Sequence, residues 1–294
     1  MAFPSFDLYI PSDLQDALKF LESEAENVSI LARGTDLLPR IRKRQFHVRT
    51  LLDISGLEDD LRYIREENNI IHIGSLSTIS DILSAELIGN RLEMIRQAGI
   101  KFGDPQIRNA ATIGGNICSA SSSEDFLPIL LTLQASVRLK SIRGDRILPL
   151  ESFILGKRVI ARKQNEILTE VFFSRPKGDY WSGFQKMGRR NILIISLVSE
   201  AVLLTLANDL ETIQDIKIAL NRVTGRIPQR AVRTERVLVN RKATPELVTE
   251  AKSVLSSELN PKSDFRASGE YRREIAKVFL GRLLNVCSAH IRGT

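Results

Sequence analysis

The segment RNAATIGGNICSASSSED, residues 108–125, decides how this chain is read. Its centre is a glycine pair, Gly114 and Gly115, with the hydroxyl of Thr112 on one side and the carboxamide of Asn116 on the other. Paired glycines can turn backbone amides toward an anion, although a glycine pair alone reads equally well as a turn. A second glycine stands upstream in LARGTDLLPRIRKR, residues 31–44. There a short buried strand, VSILA at 28–32, runs straight into Arg33, Gly34, Thr35 and Asp36. Thr35 is placed to cap a helix through Leu37, Leu38 and Ile41. The first amides of a helix are unpaired donors with partial positive charge, so a phosphate is stabilised there without a lysine. Two such patches suit the two anionic groups of a pyrophosphate, which makes a dinucleotide the natural ligand. Neither GxGxxG nor GxxxxGK[ST] occurs, so the Rossmann and P-loop readings fail.

Outward from these loops, the spacing of Ser12 and Gln15 predicts a capped helix carrying Leu14, Ala17, Leu18 and Leu21, and a strand returns at VRTLLDI. The β-α-β opening ends near Ser55. LRYIREENNIIHIG then reads as a hairpin about residues 66–69, followed by helices from Thr78 and Asn90 and a loop-rich stretch holding Gly103, Pro105, Gly114 and Gly115. FLPILLTL reads as helix, ASVRLKS and EILTEVFFS as strands. RPKGD has the character of a linker, and a domain boundary is placed near Lys177, giving domains 1–176 (subdomains 1–55 and 56–176) and 177–294. Beyond it NILIISLVSEAVLLTL and IQDIKIAL read as neighbouring strands, with helices from Arg230, Thr244 and Ser268.

The 294 residues exceed what one ordinary core supports, and 43% hydrophobic with 26% charged residues is a globular composition. The net charge of +7 comes from 42 Lys and Arg scattered among 35 Asp and Glu, with only IRKR and GRIPQRAVR locally dense and no interleaved aromatics. That pattern fits a solvated surface or subunit contact, not nucleic acid. Cys118 and Cys287 form no CxxC pattern, so any iron–sulfur cluster belongs to a partner. No basic start precedes an apolar run and no segment has bilayer length, so the cytoplasm is the expected place and no membrane is involved. His47, His72 and His290 stand apart from one another and read as surface or satisfied core residues.

RGTD, PQIRNAATIGGNICSASSSED, EILTEVFFS, FQKMGRR and FRASGEYRR follow one another across most of the chain. In that order they resemble the motifs of the FAD-binding medium subunits of the molybdenum hydroxylases, the xanthine dehydrogenase and carbon monoxide dehydrogenase family, most nearly the xanthine dehydrogenase FAD-binding subunits. The resemblance implies an α+β fold: a two-subdomain, PCMH-like FAD-binding domain followed by a smaller α+β C-terminal domain. It places the pyrophosphate between the two glycine loops. Ile30, Leu31, Ala32 and Arg33 would line the first loop together with Gly34, Thr35, Asp36 and Leu37. Thr112, Ile113, Gly114, Gly115 and Asn116 would form the second. Asp125 would accept bonds from sugar or ribityl hydroxyls, and Phe102 holds an aromatic position used against the cofactor. Leu168 would pack on the flavin ring or serve only as core, and Lys186 would lie near the ring's polar edge or be a solvated charge. Where the family usually has Gly-Gly, this chain has Arg33-Gly34. Arginine there either strains the backbone if φ is positive or reaches the phosphates with charge-assisted bonds.

The function implied is electron transfer: a large subunit with a molybdenum cofactor oxidises a substrate such as a purine or aldehyde, a small subunit passes electrons through [2Fe-2S] clusters, and FAD on this chain hands them to NAD, oxygen or a quinone. No catalytic residue and no metal site is expected of the chain. FAD is expected to be non-covalent, because the RGTD loop has no histidine. An autonomous flavoprotein oxidoreductase and an interaction subunit that has lost FAD are the alternatives.

Overall fold

Apolar runs alternating with helical stripes at the start of the chain build a small parallel sheet. A computed structural model describes residues 3–24, 26–89, 92–189, 195–223 and 227–291. Strands Asp7–Tyr9, Thr50–Asp53 and Val28–Leu31 lie side by side in that order, both pairs parallel. Helix Leu14–Glu24 buries Ala17, Leu18 and Leu21 along one stripe, and helix Leu37–Arg42 buries Ile41. The first helix starts differently from the Ser12/Gln15 expectation. Asp13 Oδ1 accepts from the Asp16 amide at 2.8 Å, while the Ser12 amide donates to Asp16 Oδ2 at 2.9 Å. Two carboxylates outcompete the hydroxyl and carboxamide for the free amides.

A five-stranded sheet follows, in the order Ile64–Glu67, Ile70–Gly74, Ile167–Ser174, Ser136–Ser141 and Gly144–Pro149. Its first hairpin closes through Asn68 and Asn69, both left-handed (φ 51° and 61°), the turn that matches the twist of antiparallel strands. Thr78 caps the next helix with a complete capping box to Asp81. The stretch expected to be loop-rich is instead two short helices, Pro105–Ala110 and Ile113–Ser119. Asp104 and Thr112 cap them, and these single-residue caps mark helices too short for a periodicity to show.

These two sheets share one compact unit, Met1–Ala85, Asp104–Ala120 and Ser136–Phe173. The second unit comprises Glu86–Gly103, Ser121–Ala135 and Ser174–Thr294. Its antiparallel sheet runs Tyr180–Met187, Val198–Leu206, Thr212–Asn221 and Gln229–Arg230, with Arg241–Lys242 also paired to the third strand. Helices Val232–Leu238, Pro245–Glu258 and Gly269–Ile291 belong to this unit. Leu247, Ala251, Leu255, Phe279, Leu280 and Leu283 fill its core against the strands.

The compact units interleave along the chain, whereas the sequence reading cuts it once near Lys177. Two helices explain the interleaving: Glu93–Ile100 packs on strand Tyr180–Met187, and Phe126–Thr132, every residue of it buried, packs on strands Val198–Leu206 and Thr212–Asn221. A helix apolar on all sides must be enclosed, and its sequence does not say by what. Strand Tyr180–Met187 holds the FQKM motif without having been expected as a strand. The start of the helix expected from Asn90, residues 191–194 of the first long apolar run, the end of FQKMGRR, the start of GRIPQRAVR and the side chains of Cys287 and His290 lie outside the description. Among the described residues no helix is long and apolar enough to cross a membrane, and no cluster of His, Cys, Asp or Glu could hold a metal.

Candidate functional site

The first glycine loop leaves strand Val28–Leu31 and reaches helix Leu37–Arg42 within five residues. Gly34 makes the turn with φ +72°, and a Cβ there would sit 2.5 Å from Leu38 Cδ1. Arg33 is not in the left-handed region, so the strain that arginine could have introduced is absent. Among the described residues, no protein group accepts from the amides of Arg33, Gly34, Thr35 or Asp36. Consecutive unpaired amides about a left-handed glycine form an anion nest. Thr35 is not the helix cap. Asp36 occupies that position, in αR geometry and with no side-chain capping bond.

The carboxylate of Asp36 is committed elsewhere. Arg158 grips it through both ends, Nη1 to Oδ2 at 2.6 Å and Nη2 to Oδ1 at 3.1 Å, and Arg40 lies 3.4 Å away. Arg158 is fixed in turn by its amide on Ala120 O (2.9 Å) and by Nη1 on Ser119 O (3.2 Å). This bidentate pair therefore ties the first loop to the C-terminal end of helix Ile113–Ser119. Arg33 turns to Glu58, which also accepts from Arg62 Nη1 at 2.7 Å, and Arg62 forks onto Asp81 at 2.9 and 3.0 Å. The bond from Arg62, aided by the charges of Arg62 and Arg33, holds the Glu58 carboxyl below its usual range against some burial. The expectation that Arg33 reaches the phosphates is thus replaced by an ion-pair chain that anchors the loop.

The second loop spends its amides inward. Ile113 N donates to Ser77 O at 3.0 Å, Gly114 N to Ser75 O at 2.9 Å, Gly115 N to Thr112 Oγ1 at 3.1 Å and Asn116 N to Thr112 O at 3.0 Å. The expectation that the glycine pair aims amides at an anion is corrected by this count. Gly114 is required for close packing, since a Cβ would fall 2.7 Å from the carbonyl oxygen and Cβ of Ser75. Gly115 is exposed, and its bare Cα leaves room that a Cβ would fill, 3.0 Å from Thr112 Oγ1.

Both loops face a cavity of about 300 Å³. Of the expected residues, Ile30, Ala32 and Arg33 line it, as do Gly34 through Leu37, Thr112, Gly114, Gly115 and Leu168. Leu31 and Ile113 point into the core, and Asn116 is buried outside the wall. Residues the sequence did not flag complete the lining, among them Ser75, Cys118 and Arg162. Burial pushes the Cys118 thiol up to about 11. No local signal marks Arg158, because its partner Asp36 lies 122 residues away in sequence, and none marks Arg162, whose bonds are all to backbone carbonyls of its own turn.

In the second unit, Phe102 meets Phe126 edge-on at 5.9 Å. Lys186 Nζ donates to Asp125 Oδ2 at 2.5 Å and to Lys101 O at 3.3 Å, and Ser196 Oγ donates to Asp125 Oδ1 at 2.7 Å. Asp125 is 4% exposed and Lys186 9%, so neither is a solvated surface charge. Burial pushes the Asp125 carboxyl up, opposed by the Lys186 charge and the two bonds. Each Asp125 oxygen already accepts one bond; a hydroxyl could add only at the remaining lone pairs. His72 is half-buried and partnered, its Nδ1 3.1 Å from Glu170, and His47 is exposed.

Residues 4–176 match the profile described as the FAD binding domain in molybdopterin dehydrogenase, and residues 182–286 that of the CO dehydrogenase flavoprotein C-terminal domain. The chain belongs to the family of FAD-binding medium subunits of molybdenum hydroxylases. It is 34% identical over 275 residues to the glyceraldehyde dehydrogenase medium chain of Sulfolobus acidocaldarius, covering 94% of this chain and 95% of that one. The carbon monoxide dehydrogenase medium chain of Hydrogenophaga pseudoflava is 27% identical over 97% of this chain and 98% of its own. A chain in the crystal structure of the cyanide-inactivated Cu,Mo-CO dehydrogenase superposes with a TM-score of 0.92 at 28% identity, covering 98% of this medium subunit and 99% of that chain. The fold is α+β with an FAD-binding domain and the flavoprotein C-terminal domain, the subunit is part of an oxidoreductase, and its cofactor is FAD. The residues present fit that cofactor. The amides of 33–36 suit phosphate oxygens, and the bare Cα of Gly115 leaves room for a ligand against the opposite loop.

Proposed function

We propose that this chain is the electron-transfer subunit of a molybdenum hydroxylase such as a xanthine or aldehyde dehydrogenase. A partner large subunit would carry the molybdenum cofactor, and a partner small subunit the [2Fe-2S] clusters that deliver electrons to FAD on this chain. The acceptor is NAD or another oxidant. When bound, FAD supplies the chemistry that joins one-electron carriers to a two-electron acceptor. The chain's own residues bind and orient it. The amides of 33–36 hold phosphate charge, Arg158 keeps Asp36 and so the loop in place, and Gly114 lets the second loop close on Ser75.

The observation that carries the reading is the nest of four amides, unpaired among the described residues, facing a cavity whose lining leaves no carboxylate free to meet a substrate. Asp36 is the one carboxylate in that lining and is gripped by Arg158, while the Cys118 thiol stays protonated. A general acid or base must reach the proton it moves, so a wall whose carboxylate is held by an arginine suits binding and electron passage better than autonomous chemistry. The test is to load the chain with FAD, add candidate aldehyde or heterocycle substrates anaerobically, and follow flavin bleaching with and without the two partner subunits. Bleaching only in the assembled complex supports the proposal. Bleaching of the isolated chain by a substrate would replace it with the autonomous reading, and failure to bind FAD would point to an interaction subunit.

A further inference from the structure

The cavity wall carries three arginines, and the protein answers the charge of two. Arg33 is paired with Glu58. Arg40 faces Asp36 at 3.4 Å and lies over the Phe46 ring at 4.7 Å. Arg162 has no carboxylate partner among the described residues. Its Nη1 donates to three carbonyls, Glu166 O at 2.7 Å, Lys163 O at 2.9 Å and Gln164 O at 3.1 Å. The nearby Glu166 carboxylate is already taken by Arg146 at 2.6 and 2.9 Å and by the Lys163 amide at 2.7 Å.

Three neutral carbonyls on one nitrogen orient a guanidinium without neutralising it. Nε and Nη2 have no acceptor among the described residues, and the half-buried side chain forms part of the wall that also holds the 33–36 amides. Removing an unpaired charge from water is costly unless an anion meets it. A guanidinium held by one end presents its other N–H groups as a fork that fits two oxygens of a phosphate. The nest supplies partial charges from the chain, and a full positive charge across the same cavity would complete a diphosphate site.

We infer that Arg162 is a cofactor-binding residue, the cation that pairs with the diphosphate of the dinucleotide held by the 33–36 loop. The inference rests on the reading of this cavity as the FAD site. It names a ligand group, and so it separates phosphate-bearing ligands from the rest of the flavin.

The experiment compares apo wild-type chain with Arg162→Gln and Arg162→Lys, titrating FAD, ADP and riboflavin by fluorescence or calorimetry, with thermal melts as a check of folding. Arg162→Gln is expected to weaken FAD and ADP by about 10- to 100-fold, the range for a lost bond between charged partners, while riboflavin changes less than about twofold. Arg162→Lys keeps the charge without the fork and should fall between, with a shallower loss in salt. Wild-type affinity for ADP should itself fall as salt rises, an outcome that stands even where Arg162→Gln does not fold. FAD binding unchanged in both variants overturns the inference while leaving the FAD site intact. Equal weakening of riboflavin and FAD overturns it in favour of a structural role for the Nη1 carbonyl bonds. A wild-type chain that binds no FAD or ADP overturns the reading of the cavity and the inference with it.

Discussion

The two glycine loops look alike in sequence and use their backbones in opposite ways. In Arg33-Gly34-Thr35-Asp36 the amides have no acceptors among the described residues, and side chains do the anchoring through Asp36–Arg158 and Arg33–Glu58. In Thr112–Asn116 the amides do the anchoring, on Ser75, Ser77 and Thr112, and the glycines serve close approach. A glycine motif thus does not by itself say which loop receives the anion. What decides is where each N–H goes.

The largest effect expected from that contrast is at Gly114. Gly114→Ala sets a methyl against the Ser75 backbone, which cannot swing aside as a side chain can, and should cost about 1–3 kcal/mol in chemical denaturation. Gly115→Ala, next door, should leave stability within about 0.5 kcal/mol and show its effect in FAD affinity instead. Equal stability losses at both sites would show that the second loop does not pack as described.

Two buried glutamates offer a second contrast, read by pH. Burial alone would raise the Glu170 carboxyl, but bonds from Arg138 (2.8 Å), Tyr63 (2.8 Å) and His72 (3.1 Å) outweigh it and hold it below the usual range. Its folded pKa is lowered, so its contribution is present above the unfolded value and is lost as pH falls through the folded one. Glu170→Gln should therefore flatten the acid limb of the stability–pH curve. Glu200 is fully buried with both carboxylate oxygens unpartnered among the described residues, and burial pushes its carboxyl well up. Here the folded pKa is raised, so stability is greatest below the unfolded value and declines as pH rises. Glu200→Met should stabilise the second unit by about 1–3 kcal/mol near neutrality, since it removes an unsatisfied buried group, with the gain growing toward alkaline pH. A destabilising Glu200→Met would mean the carboxyl has a partner after all.

The smallest effect is predicted at Arg33, the residue whose sequence context looked most disruptive. Its backbone is not left-handed and its ion pair is partly exposed, so Arg33→Gly should cost about 0–1 kcal/mol and change FAD affinity less than about threefold. A tenfold gain in affinity would reinstate arginine as an obstacle in the loop.

Much of the fold was legible because periodicity reports burial. The Asn68-Asn69 hairpin, the Thr78 and Thr244 caps and the two long strands 198–206 and 212–221 appear where the apolar pattern puts them. The helices Pro105–Ala110 and Ile113–Ser119 were not legible, because at this length their glycine, proline and polar residues leave no apolar stripe to read. The membership of Phe126–Thr132 in the second unit was hidden for the opposite reason, since a helix apolar all round fits any core. In the site, the loops were marked by their glycines. Arg158 was not, because Asp36 and Arg158 lie 122 residues apart in sequence and meet only through the fold, and Arg162 was not, because bonds to its own turn's carbonyls leave no residue pattern to read.

The central claim is that the unpaired amides of 33–36 hold the phosphate end of FAD. Competition between ADP and FAD for the apo chain, followed by flavin fluorescence, tests it most directly. The account predicts that ADP displaces FAD competitively while adenosine at the same concentration does not, and that Gly34→Ala weakens ADP along with FAD. Displacement by adenosine as effective as by ADP, or ADP binding indifferent to Gly34→Ala, would contradict it.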